Sequence, residues 1–185
     1  MIDISVKKVL SIDLEKQEAE VKSFSDLNKY FGGTGLGLKL LEIYKDKNPL
    51  VFSVGPLNGF FPYASKTSIV LEKDSVVEDI YMGGSLSTRM KFSGIDSIVL
   101  SGVSQEEIIL DIQNSIVNFK NKDTDPQSLG LPGKRSGIYF EEDKLLCDQY
   151  FTTPEYYLET IFKEKNIKGI TITGTEIFSP ANFDD

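Results

Sequence analysis

Four glycines fall within six positions in Gly32-Gly33-Thr34-Gly35-Leu36-Gly37. The run passes directly into Leu38-Lys39-Leu40-Leu41-Glu42-Ile43-Tyr44, whose apolar residues recur at helical spacing. Glycine lets a backbone take φ > 0 and lets a ligand approach where a Cβ would block it. A helix that begins on such a loop aims unpaired N–H groups and a partial positive charge back into it. That pairing makes an anion site, most often for phosphate. The spacing, however, is G-G-x-G-x-G and not the G-x-G-x-x-G of dinucleotide sites. The preceding Ser25-Asp26-Leu27-Asn28-Lys29-Tyr30-Phe31 reads as a short capped helix and not a strand, and the G-K-[ST] of a P-loop is absent. Two readings therefore stand: a phosphate-capable loop, or a C-cap glycine and a turn that lets two helices pack closely.

Composition removes several function classes. The 185 residues carry 28 acidic against 20 basic side chains, net charge −8, with no basic run, which argues against a nucleic-acid or anionic-membrane surface. There is no histidine, so a zinc site or a histidine-based triad is not expected. The one cysteine, Cys147, permits neither an intrachain disulfide nor an iron–sulfur cluster held by this chain alone. No 18-residue apolar run and no apolar leader occur, so a cytoplasmic protein is expected.

The pattern predicts a hairpin of 7–14 with 18–24, a short helix at 26–31 capped by Ser25, and an amphipathic helix over 36–44 stopped before Pro49. Strands follow at 50–54, 68–71 and 76–80. Gly83-Gly84 then opens, with Ser85 as cap, a short helix over 86–92 that carries Arg89 and Lys91. A strand at 97–101, a second hairpin of 107–112 with 115–120, and a long loop over 121–134 come next. Strands at 137–140 and 145–151 flank the acidic turn 141–143, a helix starts at Thr153-Pro154-Glu155 and runs to about Lys165, a strand covers 169–173, and a loose tail runs from Gly174 to Asp185.

The two hairpins look alike. Each is followed by a helix (36–44, 154–165) and by a short strand ending in glycine (50–55, 170–174). The expected class is therefore α+β: one β-rich duplicated module of two hairpin–helix–strand halves, about 5–102 and 103–175.

Three ordered blocks resemble a known family. They are G-G-T-G-L-G-L-K-L-L at 32–41, N-P-L-V-F-S-V-G-P-L-N-G at 48–59, and M-G-G-S-L-S-T-R-M-K-F-S-G-I-D-S-I-V-L-S-G at 82–102. Together they are similar to the N-terminal domain of the aldehyde ferredoxin oxidoreductases, and the match loosens beyond about residue 105. The resemblance implies that 1–185 is one such domain. It also implies a tungsten (or molybdenum) bis-pyranopterin, a molybdopterin-type cofactor, on the domain's face. It further implies that the pterin dithiolenes, and not protein side chains, hold the metal and that a magnesium ion lies between the pterin phosphates.

By that resemblance Gly32, Gly33, Gly35 and Gly37 would take phosphate through backbone N–H groups, and Gly83, Gly84, Arg89 and Lys91 would build the opposite wall. Lys66 stands near the family's arginine and Tyr81 where the family has asparagine, so the bidentate fork and the amide are both replaced. The family's cluster-binding cysteines and substrate channel lie in later helical domains. The expected function is thus the cofactor-binding part of an oxidoreductase that turns aldehyde into carboxylate and passes electrons to ferredoxin, with the iron–sulfur and substrate domains on further polypeptide or a partner chain. The alternative is a catalytically inactive binding module that kept the fold. Such a module would cover an exposed apolar face, with Phe60, Phe61, Pro62 and Tyr63 as candidates, by self-association into a homo-oligomer. Blander readings are kept for Arg89 and Lys91 (a solvated helix face), Cys147 (inert core) and Glu141-Glu142-Asp143 (a solvated turn). No carboxylate pair marks itself as an acid–base couple, and no catalytic or metal-ligating residue is expected.

Overall fold

Strands built from alternating Val, Ile, Leu and small polar residues bury both faces of a sheet only when each face meets another layer. The computed structural model, which describes residues 6–60, 63–153 and 157–176, supplies those layers with two six-stranded sheets and three helices. In chain order the elements are β1 (Lys7–Asp13), β2 (Glu18–Phe24), α1 (Thr34–Ile43), β3 (Leu50–Val54), β4 (Thr67–Lys73), β5 (Val76–Met82), α2 (Leu86–Phe92) and β6 (Ser97–Ser101). They continue with β7 (Ile108–Gln113), β8 (Ile116–Asn121), β9 (Arg135–Glu141), β10 (Lys144–Cys147), β11 (Phe151–Thr152), α3 (Leu158–Glu164) and β12 (Ile167–Thr173).

The first sheet runs β2-β1-β6-β3-β4-β5, and the second, taken from its other edge, runs β8-β7-β12-β9-β10-β11. The two orders match position for position. In each sheet one pair is parallel, β1 with β6 and β7 with β12, and its neighbours are antiparallel.

Period-two alternation divides the first sheet's side chains between two cores. Leu10, Ile12, Leu50, Phe52, Ile69, Leu71, Ile98 and Leu100 face the second sheet and meet Ile108, Leu110, Ile112, Ile138, Ile170 and Ile172. Leu86 and Met90 of α2 and Leu158, Ile161 and Phe162 of α3 complete that core. On the outer face Val9, Val51, Val70 and Val99 are covered by Leu36, Leu40 and Leu41 of α1. Gly37 makes this contact possible, since a Cβ there would lie 2.7 Å from Val70 Cγ2.

Most predicted elements stand, with several corrections. Residues 26–31 form turns and no helix. Their bonds are Asn28 N–H to Ser25 O and Tyr30 N–H to Leu27 O, and the left-handed Gly32 (φ 106°) follows before a helical turn can propagate. The first long helix begins at Thr34, two residues earlier than expected, on Gly33 as N-cap. The strand expected over 145–151 is broken by Asp148 and Gln149, both at positive φ, into β10 and β11. Most of the expected start of α3 lies outside the described residues. The loop 121–134 contains one 3-10 turn, Pro126–Ser128, capped by the Asp125 side chain accepting from Gln127 N–H at 2.9 Å. The tail starts anchored: Gly174 N–H donates to Lys134 O and Glu176 N–H to Phe92 O. The pairing of halves also shifts. The helix in the place of α3 is α2 and not 36–44, and the strand in the place of β12 is β6 and not 50–55.

Candidate cofactor-binding rim

One end of the first sheet collects the glycine-rich segments. Val54 pairs with Thr67 and Thr67 with Met82, so the end of β3, the start of β4 and the end of β5 share a rim. Gly32 docks there. A Cβ on it would stand 2.5 Å from Val54 O, and its φ of 106° disfavours any other residue. The helix α1 leaves from this rim. Gly33 supplies no side-chain cap, so the first N–H groups of α1 are left for another acceptor. Nothing lies within 4 Å of where a Cβ would sit on Gly33, Gly35 or Gly83. Gly35 and Gly83 are exposed, and so is Lys66, which precedes β4 as Gly83 follows β5.

The sequence alone did not reveal a polar cluster that ties the glycine loop to β5. Thr34 Oγ1 donates to Asp79 Oδ2 at 2.5 Å and lies 2.5 Å from Tyr81 OH. Ser68 Oγ donates to the other oxygen of Asp79 at 2.6 Å. A carboxylate thus already sits beside the N-terminus of α1, the place where a helix favours negative charge. Nothing in spacing marks Asp79, because the contact joins residues 45 positions apart.

The structure separates the rest of the expected set. Gly37 is buried inside α1 and serves packing. Arg89 points to the second half of the chain, donating from Nη2 to Gly133 O at 2.7 Å, and stacks 5.7 Å from the Phe92 ring. Lys91 Nζ lies 3.5 Å from Asp96 Oδ1. Arg89 and Lys91 are thus each engaged within the chain and do not form a simply solvated face. Gly84 (φ 83°) is pinned by its neighbour across the sheets, with Asp148 Oδ2 3.0 Å and Cys147 Sγ 3.4 Å from its would-be Cβ. Ser85 stands at the N-cap of α2 as expected but caps nothing. Its N–H and hydroxyl both donate to Asp148 Oδ2, at 2.8 and 2.9 Å. Asp148 Oδ1 accepts from Ser136 Oγ at 2.6 Å and Gly137 N–H at 3.2 Å.

Of the aromatic segment, Phe60 is half-buried, Tyr63 is exposed, and Phe61 and Pro62 lie outside the described residues. Cys147 is fully buried, and burial, with the Asp148 charge added, pushes its thiol up to about 12. No group of three or more acidic, cysteine or histidine side chains is placed to hold a metal ion among the described residues. No helix among them is long and apolar enough to cross a membrane.

This rim belongs to a chain with clear relatives. The chain is 29% identical over 130 residues to a protein of Pyrococcus furiosus named aliphatic sulfonate oxidoreductase, WOR-like subunit, covering 62% of this chain and 20% of that one. It is 24% identical over 127 residues to the tungsten-containing aldehyde ferredoxin oxidoreductase of Pyrococcus abyssi, covering 62% and 21%. The chain thus spans about a fifth of the length of these relatives. A solved structure, the active site complex BamBC of benzoyl coenzyme A reductase with 1,5-dienoyl-CoA, superposes with a TM-score of 0.78 at 18% identity. The superposition covers 95% of this chain and 31% of that one, and it establishes a shared fold. The family model described as aldehyde ferredoxin oxidoreductase, N-terminal domain, matches residues 9–136, and the chain belongs to that family.

Proposed function

We propose that this chain is the part of an aldehyde ferredoxin oxidoreductase-like enzyme that carries a tungsten (or molybdenum) bis-pyranopterin, and that it works together with further polypeptide. The observation that carries the reading is the convergence of open backbone at Gly33, Gly35 and Gly83 on one rim, with the exposed Lys66 at the start of the neighbouring strand. Those groups suit phosphate: N–H donors at a helix start with no side-chain cap, no Cβ in front of them, and a lysine on the same rim. Lys66 offers a point charge there and not a bidentate fork. Tyr81, held by Thr34, offers a hydroxyl where the family resemblance places an amide. A magnesium ion between the pterin phosphates would use backbone oxygens of the same rim.

When bound, the metal–pterin group supplies two-electron redox chemistry, aldehyde to carboxylate, with electrons leaving for ferredoxin through a cluster held outside this chain. The chain's own residues orient and neutralise. The rim N–H groups and Lys66 would hold the phosphates, and Gly32 lets the loop lie against β3 so that α1 begins at the rim. The common strand order of the two sheets supports reading the halves, about 5–102 and 103–175, as copies of one unit.

Asp79 favours a second reading. A carboxylate beside α1 repels a phosphate brought to the same N–H groups, as expected of a module that kept the fold and lost the cofactor. Anaerobic purification from the native host, followed by elemental analysis and pterin fluorescence after oxidation, tests the choice. Tungsten or molybdenum with pterin, co-purifying with a cysteine-bearing chain or segment, is the expected result. Metal-free and pterin-free protein that self-associates overturns it and leaves the second reading.

A further inference from the structure

The outer face of the second sheet holds a feature that the reading above does not use. Among the described residues no helix covers it as α1 covers the first sheet. Instead a cavity of about 340 Å³ opens between β9, β12, the 126–128 turn and the left-handed turn at Asp148 and Gln149. Two of its lining side chains are more than nine-tenths buried and unpartnered: Tyr139, 7% exposed, and Thr171, 2% exposed. Burial pushes the Tyr139 phenol above its ordinary 10, and a hydrogen-bonding approach of the Gln149 side chain, outside good geometry, opposes the shift. The phenol oxygen has no partner at hydrogen-bonding geometry among the described residues. Buried hydroxyls without partners are costly and uncommon, and both of these border open space large enough for a ligand.

The charges around the cavity define the ligand's class. Asp148 is saturated by four donors and has little left to attract a cation. Arg135 gives one N–H to Leu129 O at 2.7 Å, and with Asp148 it makes the charged lining one cation and one anion. The unused groups are hydroxyls and an amide, each able to donate and accept. At the mouth Tyr150 is 81% exposed and presents a bare ring beside a polar cavity.

We propose that this cavity binds a neutral, polyhydroxylated molecule of about monosaccharide size. The ligand's hydroxyls pair with Tyr139, Thr171 and Gln149, and its C–H face lies on the Tyr150 ring. The proposal goes beyond the pterin reading and stands whether or not that reading holds.

The test is a titration of the chain with D-glucose and with myo-inositol, followed in ¹H–¹⁵N spectra, with succinate as the anionic comparator. The expected result is saturable shifts at the amides of Gly137, Gln149 and Thr171 for at least one polyol, and weaker or absent shifts with succinate. T171V should weaken the polyol about fivefold, the range of one hydrogen bond, while unfolding at the same or a higher temperature because an unpaired hydroxyl is gone. Y150A, at an exposed position, should weaken binding about as much with no change in unfolding. The absence of saturable shifts with both polyols, binding undiminished in both variants, tighter binding of succinate, or a T171V chain that melts earlier overturns the proposal.

Discussion

Two glycines in α1, two residues apart, are predicted to answer the same substitution with opposite signs. Gly→Ala in a helix ordinarily gains about 1 kcal/mol, because alanine has less backbone freedom to lose. At Gly35 that gain is nearly unopposed, since a Cβ there meets nothing within 4 Å. At Gly37 the same methyl would stand 2.7 Å from Val70 Cγ2 and 3.5 Å from Ser53 Oγ. The first distance falls about 0.8 Å short of a relaxed carbon–carbon contact. Val70 is β-branched, fully buried and locked in a strand between β3 and β5, so its methyl cannot swing away. Overpacking of this kind costs about 1–3 kcal/mol, and the clash lies toward the upper end. G37A should therefore lose about 1–2 kcal/mol net, which for a urea slope of about 2 kcal/mol/M lowers the midpoint by about 0.5–1 M. G35A should hold or raise the midpoint. Urea unfolding followed by circular dichroism reads both. The double variant G37A/V70A should be less destabilised than the two single changes together, because V70A removes the clashing carbon. A G37A chain as stable as the parent, or strict additivity in the double variant, refutes the argument that this glycine exists for helix-to-sheet contact.

Three further outcomes follow from buried polar groups. Lys165, 1% exposed, donates to Asn48 O and Gly102 O, and burial lowers it from 10.5 to about 8. Between about pH 8 and 10.5 the unfolded chain holds this proton and the folded chain does not. The group's contribution to stability therefore rises with pH across that window by about 3 kcal/mol, opposed by the Cys147 thiol, which unfolding frees to ionise above about pH 9, and urea unfolding at pH 7.5 and pH 10 should show the parent gaining stability relative to K165M. D148A strands two N–H groups and two hydroxyls and should cost about 3 kcal/mol in the same assay; a loss under 1 kcal/mol refutes the role of this carboxylate in joining the sheets. Cys147, its thiol pushed up to about 12, should react with a thiol reagent at pH 8 only as fast as the chain unfolds, and fast labelling of folded protein would contradict its burial.

How far the sequence could be read follows the range of the interactions involved. Strands such as 50–54 and 97–101, and the helix over 86–92, are written in consecutive residues, and they stand where local pattern puts them. The strand read as 145–151 fails because Asp148 and Gln149 take left-handed conformations, which no glycine announces. Their turn brings Asp148 to Ser85, 63 positions away, and no local rule sees that contact. The glycine run was legible as special, but its four glycines do different work. Gly32 fits against β3, Gly33 begins the helix, Gly35 leaves its start open, and Gly37 admits Val70. Only a three-dimensional neighbour distinguishes the last from the others. Arg89 illustrates the same limit in reverse. Its place on a helix beside Gly83-Gly84 suggested the rim, while its guanidinium is held by Gly133 in the other half.

The two sheets share a connectivity and differ in what lies over them, and the difference is chemical before it is architectural. The outward positions of the first sheet are Val9, Val51, Val70 and Val99, an apolar surface that requires a cover. The chain provides one because 25 residues link β2 to β3, room enough for the glycine turn and the ten residues of α1. In the second sheet the corresponding link, β8 to β9, is shorter and punctuated by Pro126, Gly130, Pro132 and Gly133, so it forms one 3-10 turn. A face that no helix covers among the described residues carries groups that tolerate water or a ligand, here Asp111, Gly137, Tyr139 and Thr171. The same topology thus yields a closed face that fixes where α1 begins, and with it the rim, and an open polar face that holds the cavity. Apolar replacement at Thr171 would remove an unpaired hydroxyl from the interior and should leave the chain at least as stable, so the packing of this face does not itself call for that hydroxyl.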